Sequence, residues 1–226
     1  MADLPDELTV IFDLDGTLVD TAPDLFLSLN HALNKRRIEP AEYKDVFGYI
    51  GFGARRMIEI ALEKRAEIRD QAEVDAMLAD FLDYYRENIC VESSVYDGVR
   101  TCLDNLQSHG AVMGVCTNKQ EAFAVDLLDQ LNMSPYFEAI LGSDTLTVRK
   151  PDPSHLVETV ARAGGKLSRA VMIGDSETDI KTAQAANVPV VAVDFGYTPR
   201  PIQHYSPDIV ISHYDELLAA LKNLHS

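Results

Sequence analysis

Two aspartates stand two residues apart near the start of the chain, in the segment Asp13-Leu14-Asp15-Gly16-Thr17. In an extended chain such carboxylates point to the same side, but a tight turn at the glycine can redirect the second one. Like charges this close repel each other unless a cation lies between them or one carboxyl group is protonated. The pair therefore indicates either a site for a hard divalent metal or a nucleophile with its acid–base partner, although the same residues are also a common turn.

Two later segments carry groups that suit phosphate binding. Thr117 and Asn118 follow an apolar run, and a hydroxyl beside backbone N–H groups at a helix start is a natural phosphate cradle. An N-cap is an equally good interpretation of Thr117. Lys150 precedes Pro151, which stiffens the turn, so its ammonium group would be held near the sheet edge. There it would neutralise Asp13 and a bound phosphoryl group.

A fourth segment, from Gly174 to Asp179, contributes two more acids. Asp175 and Asp179 are four residues apart and therefore share a face of a first helical turn. The helix dipole favours acids at that position, so N-capping alone would explain them. Oxygen ligands from two strand ends are nevertheless what Mg²⁺ prefers, with water and substrate phosphate completing its octahedron.

These segments follow short apolar runs that predict strands buried on both faces. The predicted strands are Leu8–Phe12, Ala111–Cys116, Ala139–Leu141, Ala170–Ile173 and Val188–Val193. Amphipathic stretches alternate with them, and this rhythm predicts a doubly wound, Rossmann-like α/β fold with a parallel sheet. Ligands of such sheets bind beyond the carboxyl ends of the strands, where the reactive segments fall.

Between residues 19 and 92 the rhythm stops, and no convincing strand is predicted. Helix-like segments take its place, namely Leu25–Lys35, Arg55–Arg69 and Val74–Asn88. They join the first strand to the next strand–helix unit, so they predict a helical insert. We therefore expect an α/β core of residues 1–18 and 93–226 and a helical cap of residues 19–92 over the strand ends; a purely structural lobe is the alternative.

The composition limits the classes of partner. The 226-residue chain has a formal net charge of −16 and a pI near 4.6, which disfavours nucleic acid or a membrane surface as the main partner. Its three cysteines have no framework spacing, which favours reduced thiols in a cytosolic setting. The acidic N-terminus does not resemble a signal peptide, and no apolar run approaches the roughly 18 residues of a membrane span. We expect a cytoplasmic protein, either a monomer or a homodimer, that acts on a small phosphorylated metabolite.

Together the reactive segments closely resemble the haloacid dehalogenase-like superfamily of phosphotransferases. That family is marked by an Asp-x-Asp-x-Thr segment, a Ser or Thr after the second core strand, a later Lys, and an acidic Gly-Asp…Asp segment. This chain has them in the same order over nearly its whole length, as Asp13-Leu14-Asp15-Gly16-Thr17, Thr117, Lys150 and Gly174-Asp175…Asp179.

The resemblance implies a role for each core residue. Asp13 would attack phosphorus and become an aspartyl phosphate. Asp15 would protonate the leaving alcohol and then activate water for the second step. Thr117 and Lys150 would bind the phosphoryl oxygens, where stabilisation of charge contributes most to catalysis.

The resemblance also implies a magnesium site and a C1-type cap that closes over it. Mg²⁺ would be held by the Asp13 carboxylate, the main-chain carbonyl of Asp15 and the carboxylate of Asp175. Asp179 would be either a further ligand or a support for the waters and for Lys150.

Within this superfamily, residues 16–25 look most like those of phosphoglycolate phosphatases, so 2-phosphoglycolate is the expected substrate. The segment from Gly51 to Arg55 also looks like their specificity loop. The N–H groups of its glycines would face the substrate, and Arg55 or Arg56 would meet the substrate carboxylate. A solvated surface role for both arginines is the alternative, because they open a helix rich in acids.

Other activities remain as alternatives. Haloacid dehalogenases lack the second aspartate, so Asp15 argues against that chemistry. Phosphohexomutases of the β-phosphoglucomutase type use both aspartates and remain an alternative activity. Thr17 slightly favours a hydrolase over a mutase. A non-catalytic phospho-aspartate switch is the alternative from another class, but such modules are shorter, lack a cap and carry their aspartate after a middle strand. A degenerate binding subunit is disfavoured because every catalytic position is filled.

Overall fold

The structure is a computed structural model that describes residues 4–224. Its strands are β1 (Thr9–Phe12), β2 (Val19–Asp20), β3 (Ser94–Val95), β4 (Val112–Cys116), β5 (Ala139–Leu141), β6 (Ala170–Gly174), β7 (Val190–Val193) and β8 (Ile209–Ile211). Within those residues, six strands form a parallel sheet in the order β5-β4-β1-β6-β7-β8, and β2 pairs with β3 in a short antiparallel ribbon.

Helices flank the sheet, which confirms the predicted doubly wound α/β fold. The α-helices are α1 (Ala22–Lys35), α2 (Tyr43–Val46), α3 (Ala54–Lys64), α4 (Gln71–Glu87), α5 (Val99–Ser108), α6 (Glu121–Gln130), α7 (Pro153–Arg162), α8 (Glu177–Ala185) and α9 (Leu217–Leu224). Single 3-10 turns lie at Phe47–Phe52, Ser134–Tyr136, Leu167–Arg169, Ile202–Tyr205 and Tyr214–Glu216. No helix in residues 4–224 combines the length and the apolar character needed to cross a membrane.

The centre of the sheet determines where the reactive residues meet. β1 is buried on both faces and pairs in parallel with β4 on one side and with β6 on the other. In this register Phe12 lies opposite both Val115 and Ile173, so the three strands end nearly level. The residues that follow them, Asp13 and Thr117 among them, therefore share one edge of the sheet.

Helices α1 to α4 lie between β2 and β3, where the sequence predicted a helical insert. The two-residue strand β2 was not predicted, because two residues are too few to show a periodicity. Helix α3 ends at Lys64 rather than at Arg69, since the chain reverses at Ala66, whose φ of 54° is left-handed. Helix α4 then begins behind Asp70, which caps it together with Glu73.

The prediction also missed β8, which extends the sheet beyond β7. Its run Ile209–Ile211 has three residues, and two of them are only partly buried at the sheet edge. So short an apolar run carries no period that separates a strand from a loop. The addition widens the sheet, but two strands, β6 and β7, separate it from the strand that precedes Asp13.

Candidate active site

Asp13 follows β1 directly and is buried at the carboxyl edge of the sheet. Its Oδ1 atom lies 2.9 Å from Nζ of Lys150, but no group within residues 4–224 makes a hydrogen bond of good geometry to that oxygen. Burial, followed by the nearby Asp179 carboxylate, raises the pKa of Asp13 to about 7. A buried carboxylate oxygen of this kind is available to a cation or to an electrophile.

Lys150 is buried beneath Asp13 and joins it to Asp179. Its Nζ atom donates a hydrogen bond of 2.6 Å to Oδ1 of Asp179, and the Asn118 side chain donates to the Lys150 carbonyl at 3.2 Å. Burial alone would lower the pKa of Lys150, but the carboxylates of Asp13 and Asp179 outweigh it and raise the pKa above its usual value. Lys150 therefore stays charged and offsets part of the negative charge of the two acids.

Asp179 has two structural tasks at the start of α8. Its Oδ2 atom accepts hydrogen bonds from the Ser176 hydroxyl at 2.6 Å and from the backbone N–H groups of Ser176 and Asp175 at 3.0 and 3.2 Å. These bonds belong to the capping box of α8, in which Ser176 is the N-cap, so the capping alternative holds for Asp179 but not for the side chain of Asp175. Because Oδ1 is at the same time bound to Lys150, Asp179 fixes the lysine as well as the helix.

Asp175 is held on all sides. Its Oδ1 atom accepts from the Thr17 hydroxyl at 3.2 Å, and its Oδ2 atom accepts from the backbone N–H of Tyr197 at 2.6 Å. Glycines are required beside it, because a β-carbon at Gly16 or at Gly196 would overlap the carboxyl group. Burial raises the pKa of Asp175 well above its usual value. The carboxyl group of Asp175 is therefore held in one orientation, and no nearby positive charge outweighs the effect of its burial on the pKa.

The three acids fit a hard divalent cation. Carboxylate oxygens of Asp13, Asp175 and Asp179 all lie within 4.8 Å of one another, and all three residues are buried. Burial and mutual repulsion raise the pKa of both Asp13 and Asp175, and a bound cation would reverse that effect. Carboxylate oxygens that leave positions for water and substrate phosphate are what Mg²⁺ prefers.

Asp15 lies in a different environment. Its Oδ1 atom accepts from the Thr21 hydroxyl at 2.7 Å, and Nζ of Lys119 lies 2.8 Å from Oδ1 and 3.1 Å from Oδ2. Burial alone would lower the pKa of Lys119, but the Asp15 carboxylate outweighs it and raises the pKa. Tyr85 of α4 covers this lysine, with Nζ 4.7 Å from the centre of the ring.

A cavity of about 580 Å³ separates the sheet edge from the insert. Six of the predicted site residues line it, namely Asp13, Asp15, Gly51, Arg55, Thr117 and Asn118. Thr117 is buried in the floor, where its hydroxyl oxygen accepts the backbone N–H of Lys119 at 3.2 Å. Lys150 and Asp175 are not cavity-lining residues; they lie beneath the floor, Lys150 against Asp13 and Asp175 within the acidic cluster.

The two arginines that open α3 differ in their partners. Nη1 of Arg56 bonds to Glu59 at 3.2 Å and to Glu63 at 3.0 Å on the same helix. Nη2 of Arg55 pairs with Asp75, but its Nη1 atom has no hydrogen-bond partner in the part of the chain that the structure describes. Both arginines line the cavity, but Nη1 of Arg55 is unpaired, whereas Nη1 of Arg56 is bound by two carboxylates of its own helix.

Sequence reasoning gave no role to Lys119 or to Tyr197. Both could have been found from their position just after a strand, where ligands of such sheets bind. Lys119 follows β4 by three residues and Tyr197 follows β7 by four. Tyr197 contacts Asp175 through its backbone N–H, so its residue type gave no signal of that contact. The side chain of Lys119 contacts an acid 104 positions away, which only the fold brings close.

Sequence comparison decides the family. The sequence pattern of the haloacid dehalogenase-like hydrolases matches residues 10–193. The chain belongs to this hydrolase family. As a member of the haloacid dehalogenase-like hydrolases it is an enzyme, in agreement with the reactive groups gathered at its sheet edge.

Individual relatives cover almost the whole chain. The phosphoglycolate phosphatase of Mesorhizobium japonicum is 47% identical, across 94% of this chain and 93% of that protein. The phosphoglycolate phosphatase of Agrobacterium fabrum is 44% identical, across 93% of this chain and 91% of its own. A crystal structure of a predicted phosphoglycolate phosphatase from Haemophilus somnus superposes with a TM-score of 0.88 at 29% identity, across 94% of this chain and 96% of its own.

Proposed function

We propose that this protein is a Mg²⁺-dependent phosphatase that hydrolyses 2-phosphoglycolate through an aspartyl phosphate on Asp13. Relatives that share up to 47% of its residues carry the name phosphoglycolate phosphatase. The observation that carries the proposal is the cavity itself, whose lining combines the reacting carboxylates of the core with Arg55 of the insert. A substrate with a phosphate at one end and a carboxylate at the other matches this distribution of charge.

The first half-reaction breaks the ester bond. An oxygen of Asp13 attacks phosphorus while the bond from phosphorus to the ester oxygen breaks, and Asp15 gives a proton to the departing alkoxide. Thr117 contributes a hydroxyl and Lys150 a positive charge next to the transferring group. The products of this step are glycolate and an aspartyl phosphate.

The second half-reaction restores the enzyme. Asp15 takes a proton from water, and the oxygen of that water attacks phosphorus as the bond to Asp13 breaks. Inorganic phosphate leaves, and the Asp13 carboxylate is regenerated. Asp15 therefore acts first as an acid and then as a base, which requires one carboxyl group that both steps can reach.

Asp13, Asp175 and the main-chain carbonyl of Asp15 would hold Mg²⁺, with Asp179 in support of Lys150. When bound, Mg²⁺ supplies charge neutralisation for the phosphoryl oxygens and for the nucleophile. The chain's own contribution is to orient these ligands. Thr17 and the Tyr197 N–H fix both oxygens of Asp175, so its geometry does not depend on the ion.

We further propose that residues 19–92 act as a cap on a core of residues 1–18 and 93–226, and that the protein works in the cytoplasm. Insert residues Gly51 and Arg55 line the cavity, which supports a cap that selects the substrate. The three cysteines, Cys90, Cys102 and Cys116, are all free thiols, which supports a reducing compartment.

A panel of phosphate monoesters tests the proposal, with release of inorganic phosphate as the measured quantity. It contains 2-phosphoglycolate, ethyl phosphate as its analogue without a carboxylate, and glucose 1-phosphate as a sugar phosphate. We expect kcat/KM to be highest for 2-phosphoglycolate. Isomerisation of the sugar phosphate without phosphate release would instead establish a mutase.

Arg55→Met tests the carboxylate contact, and Arg56→Met is its matched comparison. A charge-assisted hydrogen bond contributes about 1.5–3 kcal/mol, so Arg55→Met should raise KM for 2-phosphoglycolate by roughly 10- to 100-fold. KM for ethyl phosphate should not change. Arg56→Met should leave both constants near the wild-type values, because Glu59 and Glu63 offset the charge of that arginine. Equal effects of the two substitutions would contradict the assignment.

A further inference from the structure

Lys119 is a buried cation of the site, and the proposed reaction assigns no role to it. Its side chain is 4% exposed, and its ammonium group contacts both oxygens of Asp15, at 2.8 and 3.1 Å. The only other group within residues 4–224 that hydrogen-bonds the Asp15 carboxylate is the Thr21 hydroxyl. Without Lys119, one bond to one oxygen would hold this carboxyl group, and rotation about the side-chain torsions would be less restricted.

The insert completes the surroundings of this lysine. Tyr85 belongs to α4, and its ring lies 4.7 Å from the Lys119 ammonium group. Phe123 of α6 packs edge-on against the same ring at 5.5 Å, so the ring is braced from the core. The position of Lys119 is thus determined by Asp15 on one side and by an insert helix on the other.

We propose that Lys119 is a positioning residue that orients the Asp15 carboxyl group for proton transfer, with Tyr85 of the insert holding the lysine in place. The inference rests on the proposed phosphatase function, in which Asp15 serves both half-reactions. It also links the insert to the chemistry, because the ring that covers Lys119 comes from α4. Proton transfer needs the carboxyl group within hydrogen-bond reach of the ester oxygen, and a loosely held group is there for only part of the time.

The leaving group of the substrate separates this role from others. Nitrophenolate departs without a proton, whereas an alkoxide needs one in the transition state. Moreover, kcat/KM reports only the steps up to release of the alcohol. Loss of a positioned acid should therefore lower kcat/KM for alkyl esters and leave kcat/KM for p-nitrophenyl phosphate nearly unchanged.

The experiment compares Lys119→Met with the wild-type protein on 2-phosphoglycolate, ethyl phosphate and p-nitrophenyl phosphate. Methionine keeps an unbranched stem in the pocket but removes the charge. We expect kcat/KM for both alkyl esters to fall about 10- to 100-fold relative to the aryl ester, mainly through kcat. Lys119→Arg, which retains the charge, should move that ratio back toward the wild-type value. Lys166→Met removes an exposed lysine that pairs with Glu7 and should leave the ratio unchanged.

Three outcomes would overturn the inference. A rise in KM confined to 2-phosphoglycolate would make Lys119 a carboxylate-binding residue. An equal loss on all three esters would indicate a structural role, and an unchanged ratio would indicate none. Thermal melting verifies the fold, and Lys119→Gln replaces the methionine variant if that variant does not fold. Failure of the wild-type protein to hydrolyse any ester would overturn the proposed function, and this inference with it.

Discussion

Asp24 joins the two chain segments that lead into and out of the insert. It lies in the first turn of α1 and is buried, and its carboxylate accepts hydrogen bonds from residues 91–93, just before β3. Oδ2 accepts from the N–H of Val91 at 3.1 Å and from the N–H and hydroxyl of Ser93 at 2.8 and 2.7 Å. The N–H of Glu92 donates to both oxygens, at 3.0 Å to Oδ1 and at 3.1 Å to Oδ2. The substitution Asp24→Asn keeps the size of the side chain and changes only its charge and one acceptor.

The expected loss of stability can be worked out bond by bond. If the asparagine carbonyl takes the place of Oδ2, three bonds survive but become neutral, which costs about 1 kcal/mol each. The amide then directs its own N–H group at the N–H of Glu92, which keeps only its bond of 3.1 Å to the other oxygen, and the lost bond costs about 1 kcal/mol more. Relaxation of the partly exposed linker reduces the sum, so we expect a loss of about 3–4 kcal/mol. For a chain of this size that corresponds to a fall in Tm of about 6–16 °C.

Thermal melting and urea unfolding of Asp24→Asn and the wild-type protein measure this loss. Ser93→Ala is the matched control, because it removes only the hydroxyl bond and should cost about 1 kcal/mol. We also expect limited proteolysis to cut residues 91–93 faster in Asp24→Asn. A melting temperature within 2 °C of the wild-type value corresponds to a loss of at most about 1 kcal/mol. It would refute the reasoning, because the charge of Asp24 would then contribute little to these bonds.

Three further predictions concern catalysis and pH. Asp13→Asn should abolish hydrolysis of p-nitrophenyl phosphate while the protein still melts cooperatively; substantial residual turnover would rule Asp13 out as the nucleophile. Treatment with a chelator should abolish activity and added Mg²⁺ should restore it, and calorimetry should find Mg²⁺ binding weakened by about tenfold or more in Asp175→Asn, whereas full activity without metal would contradict the site. Burial lowers the pKa of His155 to about 4 from its usual 6.5, so the unfolded chain binds the proton more readily and stability falls as the pH drops through that interval. Relative to His155→Gln, the wild-type protein should lose up to about 3 kcal/mol in urea unfolding between pH 7 and pH 4, and parallel curves for the two proteins would exclude this effect.

Much of the site was predictable because parallel strands end at a common edge. The apolar runs identified β1, β4 and β6, and each is followed directly or within a residue by a polar group. Even α5 begins and ends where the sequence predicted it, at Val99 and Ser108. Local sequence patterns are enough to predict these elements, because the buried face of a strand or helix appears as a regular spacing of apolar residues in neighbouring positions.

The sequence by itself thus determined the α/β class, the helical insert and the order in which Asp13, Thr117, Lys150 and Asp175 enter the site. Tertiary structure alone decided their partners. It bound Asp15 to Lys119 and gave Asp175 the backbone N–H of Tyr197. The physical reason is distance along the chain, because these contacts join residues up to 104 positions apart or use backbone groups that every residue type shares. Periodicity can place such groups at a sheet edge, but only the packed fold determines which of them come within 3 Å of each other.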